Sequence, residues 1–451
     1  MKILFATMPL DGHFNPLTGV AMHLKAAGHD VRWYAGPSYA AKLARLGIPH
    51  FPFRRATEIN QDNIGKLFPE RAKLRGPALI RFEGKQVFVS NTENFFEDVR
   101  EIDASFPFDA LFCDAAFWAI KLIKEKLGKR VCAFGVSPSL ESSKDIPPNF
   151  AGLKPAKTAL GRLIHQGMRA LMERMVMSEI KAIYNGMLAA HGLTPIEGSI
   201  FDVSYRSPDV LFQSGVPGFA YPRRETNPRV KFVGALLPYK AAIATAFSQP
   251  EKLDRYKPVI LISQGTVEKD PSKLIVPALE ALKDTGALLI VTTGYGKTEE
   301  LRRSYPQDNI IIEDFVDFDF ILDHTDLFIC NGGYGSILLS LSHGVPLLAA
   351  GIREGKNDIN AHVDYFGVGI DLRTERPRPG DIRRAAERLL SEPRWRQNVA
   401  RLRDELSRYH PNELIEAYLS DTAAGDGSRS MPPGHVSNQL ETIDRPSRSG
   451  L

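Results

Sequence analysis

Cys330-Asn-Gly-Gly-Tyr-Gly-Ser336 is the stretch on which the reading of this chain turns. An apolar run ending at Cys330 enters it and a helical pattern, residues 337–341, leaves it, so the spacing predicts a strand, a tight glycine turn and a helix N-terminus. Glycines let the backbone come close to a bound group, and the unpaired N–H groups and dipole of a first helical turn favour an anion, most often phosphate. A phosphate-bearing ligand is the first expectation. The plain alternative is that these glycines serve strand–helix packing alone.

Around this turn, apolar runs alternate with amphipathic helical patterns. Strands are expected at residues 3–8, 30–34, 110–113 and 130–135, and again at 259–263, 288–292, 310–313, 327–330 and 346–350. The pattern reads as α/β, with two doubly wound Rossmann-like domains over residues 1–235 and 258–419. Residues 236–257, rich in Ala, Pro and Lys, are expected to be an exposed linker that can hinge, and residues 420–451 a disordered tail. Two insertions interrupt the first half. Residues 54–101 carry Phe68, Phe82, Phe88, Phe95 and Phe96, and residues 140–194 carry Met168, Leu171, Met172, Met175 and Val176 at helical spacing. That stripe reads first as core and second as an adaptable acceptor surface.

The chain has 451 residues, 43% of them hydrophobic, enough for two substantial cores. Its 57 basic and 53 acidic residues are scattered rather than gathered into a stripe with interleaved aromatics, so nucleic acid is not indicated. Cys113, Cys132 and Cys330 lie far apart in apolar runs and read as buried free thiols of a reducing compartment, from which a cytoplasmic location is expected. The N-terminal run is too short for a signal-peptide core or a membrane span, and no later run is long enough to span.

The loop after the first strand, Pro9-Leu-Asp-Gly-His-Phe-Asn-Pro16, holds one glycine where a dinucleotide fingerprint needs three, which weakens a nicotinamide oxidoreductase reading. It does hold His13 at the carboxyl end of a strand, the edge where doubly wound sheets bind ligands. Asp114 stands at the end of the strand over 110–113. Were the two strands neighbours, the carboxylate could orient the imidazole and leave its other nitrogen as a general base. The bland alternative is a loop histidine and an aspartate that merely cap helices.

Together these features resemble the family 1 glycosyltransferases of GT-B fold, which include macrolide and natural-product glycosyltransferases and relatives of the UDP-glucuronosyltransferases. The resemblance covers nearly all of the chain up to the tail. It rests on Gly12, His13, Asn15 and Pro16 in the first loop, and on Gly332, Gly333, Gly335, Ser336, Gly344, Val345 and Pro346 in the second half. It implies two domains facing each other across a cleft, His13 as base with Asp114 completing a dyad, and a hexosyltransferase that inverts the sugar configuration without a metal. It further implies that no cofactor is needed beyond a UDP- or TDP-sugar as co-substrate. The donor would lie on Gly12, on the loop Gln264, Gly265 and Thr266, on Phe315 stacked against the base and the Val316 backbone at the base's edge, on Asn331 and the glycine turn, and on Glu354, Lys356 and Asn357 beside the sugar.

Some positions depart from the family pattern. Asn331 stands where many members have a His, and Lys356 and Asn357 where many have Asp-Gln; the Asn-Gly-Gly-Tyr-Gly form looks like a bacterial branch. Asp317-Phe-Asp319 spells a metal motif of another glycosyltransferase fold, but its place between a strand and a helix reads as a cap. The expected acceptor is a hydrophobic hydroxylated molecule or lipid. Peripheral membrane contact and the oligomeric state are left open, as are two alternative functions, a nucleotide-sugar epimerase and a non-catalytic helper protein of the same fold.

Overall fold

The computed structural model describes residues 1–240, 247–265 and 268–423. Thr266, part of the expected linker and nearly all of the expected tail lie outside the described residues.

The first sheet contains β1 (Lys2–Ala6), β2 (Asp30–Ala35), β3 (His50–Pro52), β4 (Ala110–Asp114), β5 (Arg130–Gly135), β6 (Val210–Ser214) and β7 (Val230–Gly234), in the order β3-β2-β1-β4-β5-β6-β7. The second contains β8 (Val259–Ser263), β9 (Leu288–Thr292), β10 (Ile310–Glu313), β11 (Leu327–Cys330), β12 (Leu347–Ala349) and β13 (Gly369–Asp371), in the order β10-β9-β8-β11-β12-β13. Every pairing between these strands is parallel. Helices cover both faces, so the central strands β4, β6, β8 and β9 are buried along their whole length and read as continuous apolar runs rather than alternating ones. The three cysteines are free and buried, and burial raises each thiol's pKa, Cys330 to about 12.

Each sheet reverses its winding at one place, between β1 and β4 in the first and between β8 and β11 in the second. Strand ends separate there to open a crevice at the carboxyl edge, the usual ligand site of such sheets. Both sequence motifs, the His13 loop and the glycine turn, fall at these two points.

Three parts differ from the sequence reading. The linker contains a short helix, Glu251–Arg255, anchored by buried Leu253. The last described helix, Pro411–Ala423, runs past the expected tail boundary and packs on the first domain: Ile415 and Leu419 join the core of Phe212, Val233 and Leu236, and His23 Nε2 lies 2.7 Å from Glu416 Oε2. The stripe of the second insertion is not all core. Met168, Leu171 and Met175 are exposed, and only from the end of a π-helical turn, Glu173–Met177, onward do side chains point inward, Val176 and Met177 within the turn and Ile180 after it. The wide turn re-phases the helix, which a constant 3.6-residue period cannot anticipate.

Candidate active site

His13 sits in the first turn of the helix Asp11–Ala26, whose buried residues Phe14, Leu17, Val20, Ala21 and Leu24 recur at the spacing of one helix face and lock it onto the first sheet. β1 and β4 are neighbours in register, Ala6 opposite Cys113, so the loop leaving β1 passes beside the end of β4. The result is a contact of 2.8 Å between His13 Nδ1 and Asp114 Oδ1. Asp114 is fully buried, whereas a quarter of the His13 side chain is exposed. Two further donors hold the carboxylate: Met8 N–H reaches Oδ2 at 2.8 Å and Ala116 N–H reaches Oδ1 at 2.9 Å. A carboxylate oxygen held by these amides also accepts from Nδ1–H, which leaves Nε2 with a lone pair. An oriented, partly exposed imidazole backed by a buried anion is equipped to take a proton and hold it.

On the second sheet the glycine turn is built as the sequence suggested. Gly333 precedes the helix Tyr334–Ser342 with no side chain bonded across its first turn, and the Ser336 hydroxyl lies beside it. Gly332 has φ +88°, and a methyl group there would stand 2.1 Å from Asn360 Oδ1. Asn360 is wholly buried; its amide donates to Gly351 O at 3.0 Å, while its Oδ1 has no partner. Asn331 donates to the Gln264 carbonyl and ties the end of β11 to the end of β8. Gly265 follows with φ +76°.

Other expected donor residues are placed differently. The Gln264 amide is occupied within its own loop, donating at 3.1 Å to both Glu268 O and Asp270 O. Asn357 turns toward the first domain and donates to Phe150 O at 2.7 Å. Lys356 opens the helix Lys356–Tyr365 and pairs with Glu354 at 2.9 Å; its positive charge still reaches Cys330, the last residue of β11, where it opposes the rise in the thiol's pKa. Phe315 is half exposed beside half-buried Val316. Gly12 has open space around its missing side chain. Asp317 caps the helix Phe318–Leu322, its side chain accepting from Asp319 N–H at 3.1 Å.

Sequence reasoning missed two features. Tyr295, 74% exposed with φ +67°, meets Phe315 edge-on at 4.8 Å. The loops after β9 and β10 are zipped together by Thr293 N–H to Glu313 O and Gly294 N–H to Asp314 O, which presents both rings to solvent. The aromatic between two glycines, Gly294-Tyr295-Gly296, just after a strand, was the available signal. The other feature is a clasp between the domains. Asp358 accepts from the Phe150 and Gly152 amides, the latter at 2.7 Å, and Tyr221 stacks on His362 at 3.7 Å. Burial raises the Asp358 pKa to about 6 and lowers that of His362 to about 4. A second bridge runs from the Tyr334 hydroxyl to Ser214 O at 3.0 Å, which sets the start of the helix Tyr334–Ser342 against the carboxyl end of β6. The carboxyl edges of the two sheets therefore face each other.

Comparison with known proteins gives this geometry a context. Residues 277–420 match the domain family described as Erythromycin biosynthesis protein CIII-like, C-terminal domain. The chain is 34% identical over 407 residues to 4'-demethylrebeccamycin synthase of Lentzea aerocolonigenes, covering 90% of this chain and 95% of the relative. It is 26% identical to UDP-glucosyltransferase 1 of Beauveria bassiana, covering 94% and 96%. Among solved structures, the calicheamicin glycosyltransferase CalG4 superposes with a TM-score of 0.71 at 18% identity, covering 94% of this chain and 99% of that one, a likeness of fold.

Proposed function

The chain belongs to the family 1 natural-product glycosyltransferases, which act on nucleotide sugars, and from that premise we propose that it transfers a sugar from a UDP- or TDP-sugar, with inversion and without a metal, to a hydroxyl of a hydrophobic acceptor. The acceptor oxygen attacks the anomeric carbon as the bond from that carbon to the diphosphate oxygen breaks. His13 Nε2 takes the hydroxyl proton during attack, and buried Asp114 stabilises the imidazolium that forms. The nucleoside diphosphate leaves as an anion onto the N–H groups of the helix Tyr334–Ser342, approached through Gly333, Gly335 and Ser336.

Three features support the assignment of the donor side. Asn331 carries no charge, and Lys356, whose field reaches the end of β11, supplies the cation there. Phe315 and Tyr295 offer an exposed aromatic surface for the base. Asp317, the first residue of the one metal-like sequence motif, serves as a helix cap on the donor domain.

The observation that carries the reading is the 2.8 Å contact of His13 with a fully buried, three-donor Asp114. Replacing His13→Ala should lower turnover by about 10²–10⁴-fold, the usual contribution of a general base, while stabilisation by UDP or TDP stays as in the wild type. Turnover unchanged in that variant rejects His13 as the base.

A further inference from the structure

The helix Ala159–Met172 is mounted the wrong way round for a soluble surface. Arg162, His165, Arg169 and Glu173 are at least partly buried against the domain, and Arg169 donates to Ile146 O. Its apolar side, Leu160, Leu163, Ile164, Met168 and Leu171, continued by Met175 in the π-helical turn, faces outward, with Leu160 67% and Met175 62% exposed. An ordinary surface helix does the opposite. The stripe runs about 24 Å at 1.5 Å per residue, longer than a small-molecule acceptor would cover.

The surroundings of this face are basic. The helix Gly76–Glu83 packs against the π-helical turn Glu173–Met177, and Lys85 pairs with Glu179 at 2.6 Å, so the two insertions form one region of the surface. Residues 61–85 and 154–181 together hold twelve Lys and Arg against five Asp and Glu, an excess of seven in a chain whose total is +4. Lys73, Arg75, Arg81, Lys157 and Arg174 are exposed, and so is Leu67. A second copy of the chain docking symmetrically would set this basic rim against itself. An apolar stripe bordered by Lys and Arg fits the acyl–headgroup boundary of an anionic bilayer, where the side chains insert and the cations meet the lipid phosphates.

We propose that the outward face of the helix Ala159–Met172 and its basic rim dock the protein on the surface of an anionic membrane. This inference does not depend on the identity of the donor or acceptor.

The test is co-sedimentation of the full chain with vesicles of phosphatidylcholine, with and without about a quarter phosphatidylglycerol. Binding should require the anionic lipid, weaken as salt is raised, and fall at least about tenfold in a variant carrying Leu163→Gln, Leu171→Gln and Met175→Gln. A second variant, Lys157→Glu with Arg174→Glu, should lose binding as well. Unaltered thermal stabilisation by UDP or TDP shows that each variant is folded. No binding to anionic vesicles, or equal binding by the triple variant, overturns the proposal. So does a dimer in solution that the triple variant dissociates, because the face would then be covered by a second copy.

Discussion

Alanine at Gly332 and at Gly335 should have opposite effects on stability yet the same effect on nucleotide binding. At Gly332 the backbone has φ +88°, which costs a residue with a Cβ about 1–2 kcal/mol. The new methyl would also lie 2.1 Å from Asn360 Oδ1 and 2.7 Å from its Cγ and Nδ2. Asn360 is fully buried and held by its bond to Gly351 O, so it can yield only by giving up that bond, a further loss of about 1–3 kcal/mol. Gly332→Ala should therefore cost about 2–5 kcal/mol in all. Gly335 lies within the first turn of the helix Tyr334–Ser342 with nothing within 4 Å of an added methyl, so Gly335→Ala should stabilise by about 0.5–1 kcal/mol. That methyl nevertheless stands where a diphosphate must approach the helix N-terminus. Losing one charge-assisted N–H contact there is worth about 1.5–3 kcal/mol, roughly 10–100-fold in affinity. The assay is thermal unfolding of both variants with and without UDP or TDP, in chelator and in magnesium. Gly332→Ala should melt earlier and Gly335→Ala at or above the wild-type temperature, and both should lose most of the stabilisation by nucleotide. Full nucleotide stabilisation of Gly335→Ala would refute the placement of the diphosphate at this turn.

Three other changes probe the remaining parts. Asp114→Asn must set an N–H against one of three donors, Met8 N–H, Ala116 N–H or His13 Nδ1–H, and turnover should fall by about 10²-fold or more with donor binding kept; single-turnover kinetics give the split. Phe315→Ala and Tyr295→Ala should each weaken nucleotide binding by about 1–3 kcal/mol, the range of a lost base–aromatic stack, with little change in melting temperature because both rings are exposed; titration calorimetry measures the loss. Asp358 has a folded pKa of about 6 against an ordinary 3.8, so its contribution to stability is fullest below the ordinary value and is lost as pH rises through about 6. At ~1.4 kcal/mol per pH unit that gap is worth about 3 kcal/mol. The melting-temperature advantage of wild type over Asp358→Asn should therefore grow as pH falls from neutral toward 4, and a pH-independent difference would show that Asp358 does not titrate in the clasp.

What the sequence made legible were features whose cause is local. The glycine turn is recognisable because strand, glycines and helix are contiguous. His13 and Asp114 are 101 positions apart, but each stands at the carboxyl end of an apolar strand, His13 in the first helical turn after β1 and Asp114 as the last residue of β4, and a single topological fact, the pairing of β1 with β4, brings them together. Features that depend on distant partners were not legible. Asn357 matched a sugar-binding position, yet Phe150, more than 200 residues earlier, takes its amide, and Asp358 next to it was not singled out at all. An irregular local loop was equally hidden: Gln264 looked free for phosphate, but the carbonyls of Glu268 and Asp270, four and six residues on, take its amide. The stripe from Met168 to Val176 has helical spacing, but spacing says only that residues share a face, not whether that face turns inward, and the π-helical turn splits it between solvent and core.

A single displacement assisted by His13 leaves its record in the configuration of the product. With a donor sugar of known anomeric configuration and an accepted hydroxylated aromatic, the coupling constant of the product's anomeric proton reports which face was attacked. The product should have the opposite configuration to the donor, formed in chelator as well as in magnesium. Retention of the donor's configuration would contradict direct attack by an acceptor that His13 deprotonates.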